Sequence, residues 1–265
     1  MQMFQDSNPL HSDLSDFPRP NLTVDLILMT IEEDALHILM LERGSEPFKG
    51  HLTLPGGFVH PAETLDDTAK RVLQDKAHLV NLPVEQLYSF SDPKRDPRGW
   101  VVSVAYFALV PFAKLEEAAG SDEGLALLRV AFDGGADDGG TGDGRADVKD
   151  IGACTLYHGN IKGRIGFDHE QMIRLAVDRL RGKLDWSTLA FGLLPKRFTL
   201  YELQCVHEVI LGRKLNKAFF RKKMLAQKWA DGSSLFATGI VTTGRQHRPA
   251  ELFELACDAQ GNEAP

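Results

Sequence analysis

Positive charge in this chain is concentrated in one stretch, and that segregation narrows the possible folds more than any other feature. Between Phe191 and Ala250 there are eleven Lys and Arg against three acids, Glu202, Glu208 and Asp231. The whole chain carries a formal charge of −7, so a surplus of eight positive charges in this stretch leaves −15 for everything else. A basic module on an acidic body is the expected footprint when one part of a protein meets phosphate and another part does something different. At 265 residues the chain has material for two domain-sized cores. The expected division is a flexible lead-in over 1–20, an acidic domain over 21–186, a basic domain over 187–258 and a flexible tail over 259–265.

No apolar run approaches the ~20 residues a membrane span requires. The first eighteen residues carry no Lys or Arg and no continuous apolar stretch, unlike a secretory signal, so a cytoplasmic address without membrane contact is expected. Cys154, Cys205 and Cys257 are odd in number and far apart, which speaks against a disulfide framework or a zinc site.

The acidic part alternates strands and helices. Asn21 to Leu41 reads as a hairpin, TVDLILMTI and ALHILMLER about the acidic turn Glu32-Glu33-Asp34. Leu52 to Phe58 reads as one short strand ending in a glycine turn, Ala62 to Ala77 as a helix, Trp100 to Val110 as an apolar strand, and Phe167 to Leu184 as an amphipathic helix. Residues 133–147 are almost entirely Gly and Asp, too polar to pack, and are expected to form a mobile surface insertion. Their spacing is not that of a calcium loop.

The basic part reads as helix, short turn, basic helix, hairpin. Thr199 followed by Glu202 is a capping box opening a helix that stops at Gly212. A second helix starts at Asn216, with Phe219, Phe220, Met224 and Leu225 as its apolar face and Lys217, Arg221, Lys222 and Lys223 as its basic one. Two strands then flank Thr243 to Arg248, a glycine-containing turn carrying Arg245 and Arg248. One charged helix face is also what a merely solvated surface looks like. It is the ordered coincidence of cap, turn, basic helix and arginine-tipped hairpin that points to DNA. The expected DNA contacts are Asn216, Lys217, Arg221, Lys222, Lys223, Arg245 and Arg248.

Leu54-Pro-Gly-Gly-Phe-Val59 followed by Glu63 and Arg71 resembles the Nudix box, G-x5-E-x7-R-E-U-x-E-E-x-G-U, with Gly57, Glu63 and Arg71 in register. In that superfamily, carboxylates on one helix face hold the divalent cations that bridge a diphosphate. Here Val72 and Lys76 stand where two of those acids belong, and only Asp75 remains of the triplet. An ammonium repels a dication, so Glu63 and Asp75 are expected to be vestigial, Glu63 paired to Arg71, and hydrolysis lost. Arg43, the Gly56-Gly57 turn, Arg95 and Arg98 are the residue types that hold a diphosphate, and Asp96 suits ribose hydroxyls.

LPGGFV, RDPRGW (Arg95 to Trp100), GFDH (Gly166 to His169), LLPKRFTLYELQ (Leu193 to Gln204) and LNKAFFRKKML (Leu215 to Leu225) together resemble the NrtR-type Nudix-related transcriptional regulators. The resemblance implies an α/β (α+β) Nudix-like domain with a mixed sheet, followed by a winged helix-turn-helix domain. It implies a homodimer that binds a palindromic double-stranded operator, represses genes of NAD metabolism, requires no cofactor and senses ADP-ribose, NAD or an ATP-like nucleotide. The alternative is an active metal-dependent Nudix pyrophosphatase acting on ADP-ribose or NADH-like substrates.

Overall fold

The computed structural model describes residues 17–132, 154–158, 161–242 and 249–257. The Gly/Asp-rich stretch 133–147, the arginine-bearing turn 243–248, and most of both expected flexible ends lie outside them.

The first module is built on β1 (Asn21–Glu32) and β2 (Ala35–Glu42), paired antiparallel from Glu32↔Ala35 to Met29↔Ile38. The two turn residues, Glu33 and Asp34, both take positive φ (46° and 57°), the geometry whose twist matches a tight hairpin. β1 also runs parallel to β6 (Val101–Leu109), and β4 (Gly56–Phe58) pairs antiparallel with its beginning. With β3 (Leu52–Thr53), β5 (Glu85–Phe90), β7 (Leu125–Phe132), β8 (Cys154–His158) and β9 (Ile161–Lys162), the mixed sheet has the order β5-β6-β1-β2-β7-β8-β9, β3 joining β2 at the side. The segment expected to be one strand at Leu52–Phe58 is two, because Leu54 and Pro55 carry the chain from β2 across to β1.

β1 lacks polar alternation because both of its faces are covered. Val24, Leu26 and Leu28 pack with α1 (Leu65–Ala77) and α2 (Phe112–Ser121), while Ile27 and Met29 pack with α3 (His169–Lys183). α1 begins at Leu65 rather than Ala62, because Thr64 caps it in a reciprocal box with Asp67 while Ala62 sits at φ 68°.

The second module contains a 3-10 turn (Leu189–Leu193), β10 (Phe198–Thr199), α4 (Leu200–Leu211), α5 (Lys217–Ala226), β11 (Ser233–Val241) and β12 (Glu251–Cys257), with sheet order β10-β12-β11. This is a winged helix. Thr199 caps α4 with Glu202 as the sequence predicts, and Gly212 ends it in the left-handed region (φ 68°). Leu200 and Leu203 pack with Phe220, Met224, Trp229 and Phe253, whereas Val206 and Ile210 join the α3 side of the first module. One helix therefore belongs to both cores. Among the described residues no helix is long and apolar enough to cross a membrane.

α5 corrects one expectation. Phe220 and Met224 are buried, but Phe219 is 70% exposed and Leu225 46% exposed. Residues four apart share one helix face, and Phe219 is turned about 100° away from Phe220. Phe220→Ala should lower the unfolding free energy by about 3–5 kcal/mol in urea, and Phe219→Ala should change it by less than about 0.5 kcal/mol. Equal losses would mean that α5 is rotated from this position.

Candidate functional site

A cleft opens where β1, β4, α1, the loop before β6 and the start of α3 converge. Its floor is Asp25, a carboxyl in the middle of a buried strand. Ser103 Oγ donates to Asp25 Oδ2 at 2.5 Å, while Arg95 Nη2 and His169 Nε2 each lie 3.9 Å from its oxygens. Gly56 crosses directly above it, where an added Cβ would fall 2.0 Å from Asp25 Oδ1 and 3.0 Å from the Val24 carbonyl. The glycine is required by this approach of β4 to β1 before any ligand is considered.

His169 is buried and accepts the Leu54 backbone N–H on Nδ1 at 2.9 Å. Burial holds its imidazole below the ordinary histidine range, so the ring is neutral and its proton sits on Nε2, toward Asp25.

All six residues expected to hold a nucleotide, Arg43, Gly56, Gly57, Arg95, Asp96 and Arg98, line this cleft. Their internal partners differ from one another. Arg95 is buried and donates through Nε and Nη2 to Asp168 at 2.9 and 2.7 Å, so its fork is taken up inside the protein. Asp96 accepts from the Arg98 backbone N–H (2.9 Å), Nε (3.0 Å) and Nη2 (2.7 Å), and the Arg98 guanidinium holds its carboxyl below the usual range. Arg98 lies over the rings of Phe58 and Phe167 at 5.5 and 5.7 Å. Arg43 donates from Nε to the Pro47 carbonyl at 2.6 Å and sits 5.1 Å from the centre of Phe167. Thr23, Asp25, Phe58, Lys76, Phe167 and His169 also line the cleft and were not foreseen as site residues. For Lys76 the Nudix register was the signal, although Val72 and Asp75, at its other acidic positions, do not line the cleft.

The vestigial acids stand outside. Glu63 accepts from Arg71 Nε (2.7 Å) and Nη2 (2.9 Å), from Thr68 Oγ1 (2.9 Å) and from the His60 N–H (3.1 Å), and Arg71 holds its carboxyl down at about 2. Arg71 also donates to the Phe58 carbonyl at 2.8 Å, tying α1 to the end of β4. Asp75 is exposed and does not line the cleft. Among the described residues no group of three or more His, Cys, Asp or Glu could hold a metal ion.

In the second module, Lys217, Arg221 and Lys222 stand exposed on α5. Lys217 and Arg221 line a cleft with Tyr201 at the start of α4 and Val241 on the hairpin. Asn216 and Lys223 have other partners: Asn216 Oδ1 accepts the Phe219 N–H at 3.0 Å as a helix cap, and Lys223 Nζ reaches Asp185 Oδ1 at 2.5 Å. Arg245 and Arg248 lie outside the described residues. Glu208, which the sequence showed only as one of three acids in the basic segment, gathers the inter-helix turn by accepting from Gln204 Nε2 (2.7 Å), Lys214 Nζ (2.9 Å) and the Leu215 N–H (3.0 Å).

Residues 20–128 match the NUDIX domain family, and residues 190–255 match the NrtR DNA-binding winged helix domain. The ADPR responsive transcriptional repressor NtrR of Acinetobacter baylyi is 31% identical over 249 residues, which cover 91% of this chain and 84% of that protein. This chain belongs to the NrtR-type family of Nudix-related transcriptional regulators. The crystal structure of Shewanella oneidensis NrtR complexed with a 27mer DNA is similar at a TM-score of 0.66 and 33% identity, covering 89% of this chain and 93% of that one. The ADP-ribose pyrophosphatase of Methanocaldococcus jannaschii is 38% identical over 121 residues, 43% of this chain and 68% of that enzyme.

In this NrtR-type chain the NUDIX match spans every cleft residue except Phe167 and His169, which α3 and its approach bring in from beyond. His169 also gives the protein a measurable pH signature. Its folded-state pKa lies below the 6.5 of the unfolded chain, so its contribution to stability is full above pH 6.5 and falls as the pH drops below that value. His207, buried against Phe220 and likewise shifted down by burial, acts in the same direction. Unfolding free energy measured from pH 7.5 to 5.5 should decline with a slope of up to about 1.4 kcal/mol per pH unit for each histidine, and His169→Gln should flatten it. An unchanged slope in that variant would mean that His169 titrates alike in the folded and unfolded chain.

Proposed function

We propose that this chain is a DNA-binding transcriptional repressor of NAD-metabolism genes, whose Nudix domain senses ADP-ribose or a related adenine nucleotide without hydrolysing it. The observation that carries the reading is the cleft itself. It keeps cationic and aromatic groups suited to a diphosphate and a base, while its metal-binding acids are locked away, as Glu63 is by Arg71, or replaced, as at Val72 and Lys76. A regulator gains from this, because an effector that is not destroyed reports its own concentration. The similarity to the ADPR responsive repressor of A. baylyi supports the effector class.

Within this reading Arg43 and Arg98 face the ligand, and Asp96 and Arg95 act as positioning residues, the first orienting Arg98 and the second holding the start of α3 through Asp168. α3 runs from the cleft to the winged helix. At its far end Arg181 Nε donates to the Ile210 carbonyl at 2.8 Å, and just beyond it Asp185 accepts from Lys223 Nζ and, through its backbone carbonyl, from Gln227 Nε2 at 3.0 Å. A nucleotide that favours one placement of α3 by ~1 to 3 kcal/mol thereby favours one placement of α5, which is the differential affinity a switch requires. Lys217, Arg221 and Lys222 contact DNA, Lys223 serves the inter-module bond, and a homodimer presents two such helices to a palindromic operator.

The similarity to an ADP-ribose pyrophosphatase favours a second reading, a metal-dependent hydrolase on ADP-ribose or NADH-like substrates. One experiment separates them: anisotropy titration on the chain's own promoter with and without ADP-ribose, followed by chromatographic recovery of the nucleotide in magnesium or manganese. Release of DNA with intact ADP-ribose supports the sensor, and turnover to AMP supports the hydrolase. Arg221→Ala should weaken DNA binding about tenfold or more and lower the salt slope by about one, with ADP-ribose affinity unchanged. Loss of both affinities together would count against the separate roles given to the two modules.

A further inference from the structure

The Nudix resemblance implies a divalent cation at the diphosphate, and the residues of this cleft do not fit one. Hard cations take several oxygen ligands, chiefly carboxylates. Here both Glu63 oxygens already accept hydrogen bonds, Val72 is packed 3.1 Å from where a Cβ on Gly57 would lie, and Asp75 points to solvent outside the cleft. Asp25 lines the cleft but is held by Ser103 beside Arg95. On the wall where a metal ligand would stand there is instead the ammonium of Lys76.

The cleft's other cations are unequally available. Arg98 is balanced by Asp96 and Arg95 by Asp168. Arg43 and Lys76 form no direct ion pair among the described residues, Lys76 feeling only the field of Asp122, which is itself paired with His78, and they flank β4 from just beyond the end of β2 and from the last turn of α1. A nucleoside diphosphate ester carries about two negative charges at neutral pH, spread over two phosphates, which two cations outside direct ion pairs match. Lysine suits a position vacated by a metal, because its head is a compact point charge with three donors on a flexible stem.

Resting on the nucleotide reading above, we infer that Lys76 takes over the electrostatic part of the Nudix metal. With Arg43 it neutralises the diphosphate, so that this chain binds a nucleoside diphosphate without any divalent cation and prefers it to a monophosphate. Lys76 is exposed at the helix surface, so its replacement leaves both cores intact.

The test is isothermal titration of the full chain with ADP-ribose and with AMP, in EDTA and again in millimolar magnesium. Wild-type affinity for ADP-ribose should be the same in both buffers to within about twofold. Lys76→Met should lose about ten- to a hundredfold in ADP-ribose affinity and almost none for AMP, and Lys76→Arg should retain most of it. Lys76→Glu should bind ADP-ribose more weakly than Lys76→Met in EDTA and recover in part with magnesium. Undiminished binding by Lys76→Met, or a wild-type affinity that collapses in EDTA, would overturn the inference while leaving the nucleotide reading standing. Absence of ADP-ribose binding by the wild-type chain would remove both.

Discussion

A polar carboxyl placed at the centre of a strand with apolar packing on both faces must find partners, because leaving it unpaired there costs several kcal/mol. Asp25 is such a group, and the cleft is assembled around it. Ser103 on the neighbouring parallel strand donates to it, Arg95 and His169 approach from a loop and a helix distant in sequence, and Gly56 is glycine because no side chain fits over it. Four separate segments meet at one carboxyl. The floor of the site is thus part of the stability of the fold, which gives the ligand a preformed surface rather than one that must be ordered at the moment of binding.

From that floor, two pairings divide the charged groups into those that shape the protein and those that remain for a ligand. Arg95 and Asp168 join the loop before β6 to the start of α3, and Arg71 with Glu63 joins the beginning of α1 to the end of β4. In a Nudix hydrolase the latter helix is a metal platform. In this chain its carboxylates are absent, turned outward or consumed, and the helix contributes a cation instead. The same scaffold can therefore carry recognition without chemistry, since function resides in the side chains mounted on a fold rather than in the fold itself.

The junction between modules follows the same economy. α4 places Leu200 and Leu203 in the winged-helix core and Val206 and Ile210 in the core below the sheet. A helix shared between two cores resists being moved alone. α3 is joined to α4 through apolar packing and Arg181, and the residue just beyond it, Asp185, is joined to α5 through Lys223.

Much of this architecture is legible in local sequence, for a physical reason. Capping boxes, left-handed glycine stops and tight hairpin turns depend on residues three or four apart, so Thr199 with Glu202, Gly212 and the Glu33-Asp34 turn announce themselves. Part of the cleft lining is legible too, Arg43, Gly56, Gly57, Arg95, Asp96 and Arg98 among it, whereas Asp25, Phe167 and His169 are not, because only the fold brings them to the same place. What local sequence does not contain is the choice of partner across long separations. That Arg95 spends its fork on Asp168, 73 residues away, and Lys223 meets Asp185, 38 away, depends on which surfaces the cores bring together. The exposure of Phe219 beside the buried Phe220 has the same origin, since periodicity marks an apolar stripe but only packing selects its centre. The sequence by itself determined two modules, their helical punctuation and the replacement of two metal-binding acids by Val72 and Lys76. The tertiary structure decided which charges are spent internally and which remain in the cleft, because a charge's availability depends on its three-dimensional neighbours rather than on its place along the chain.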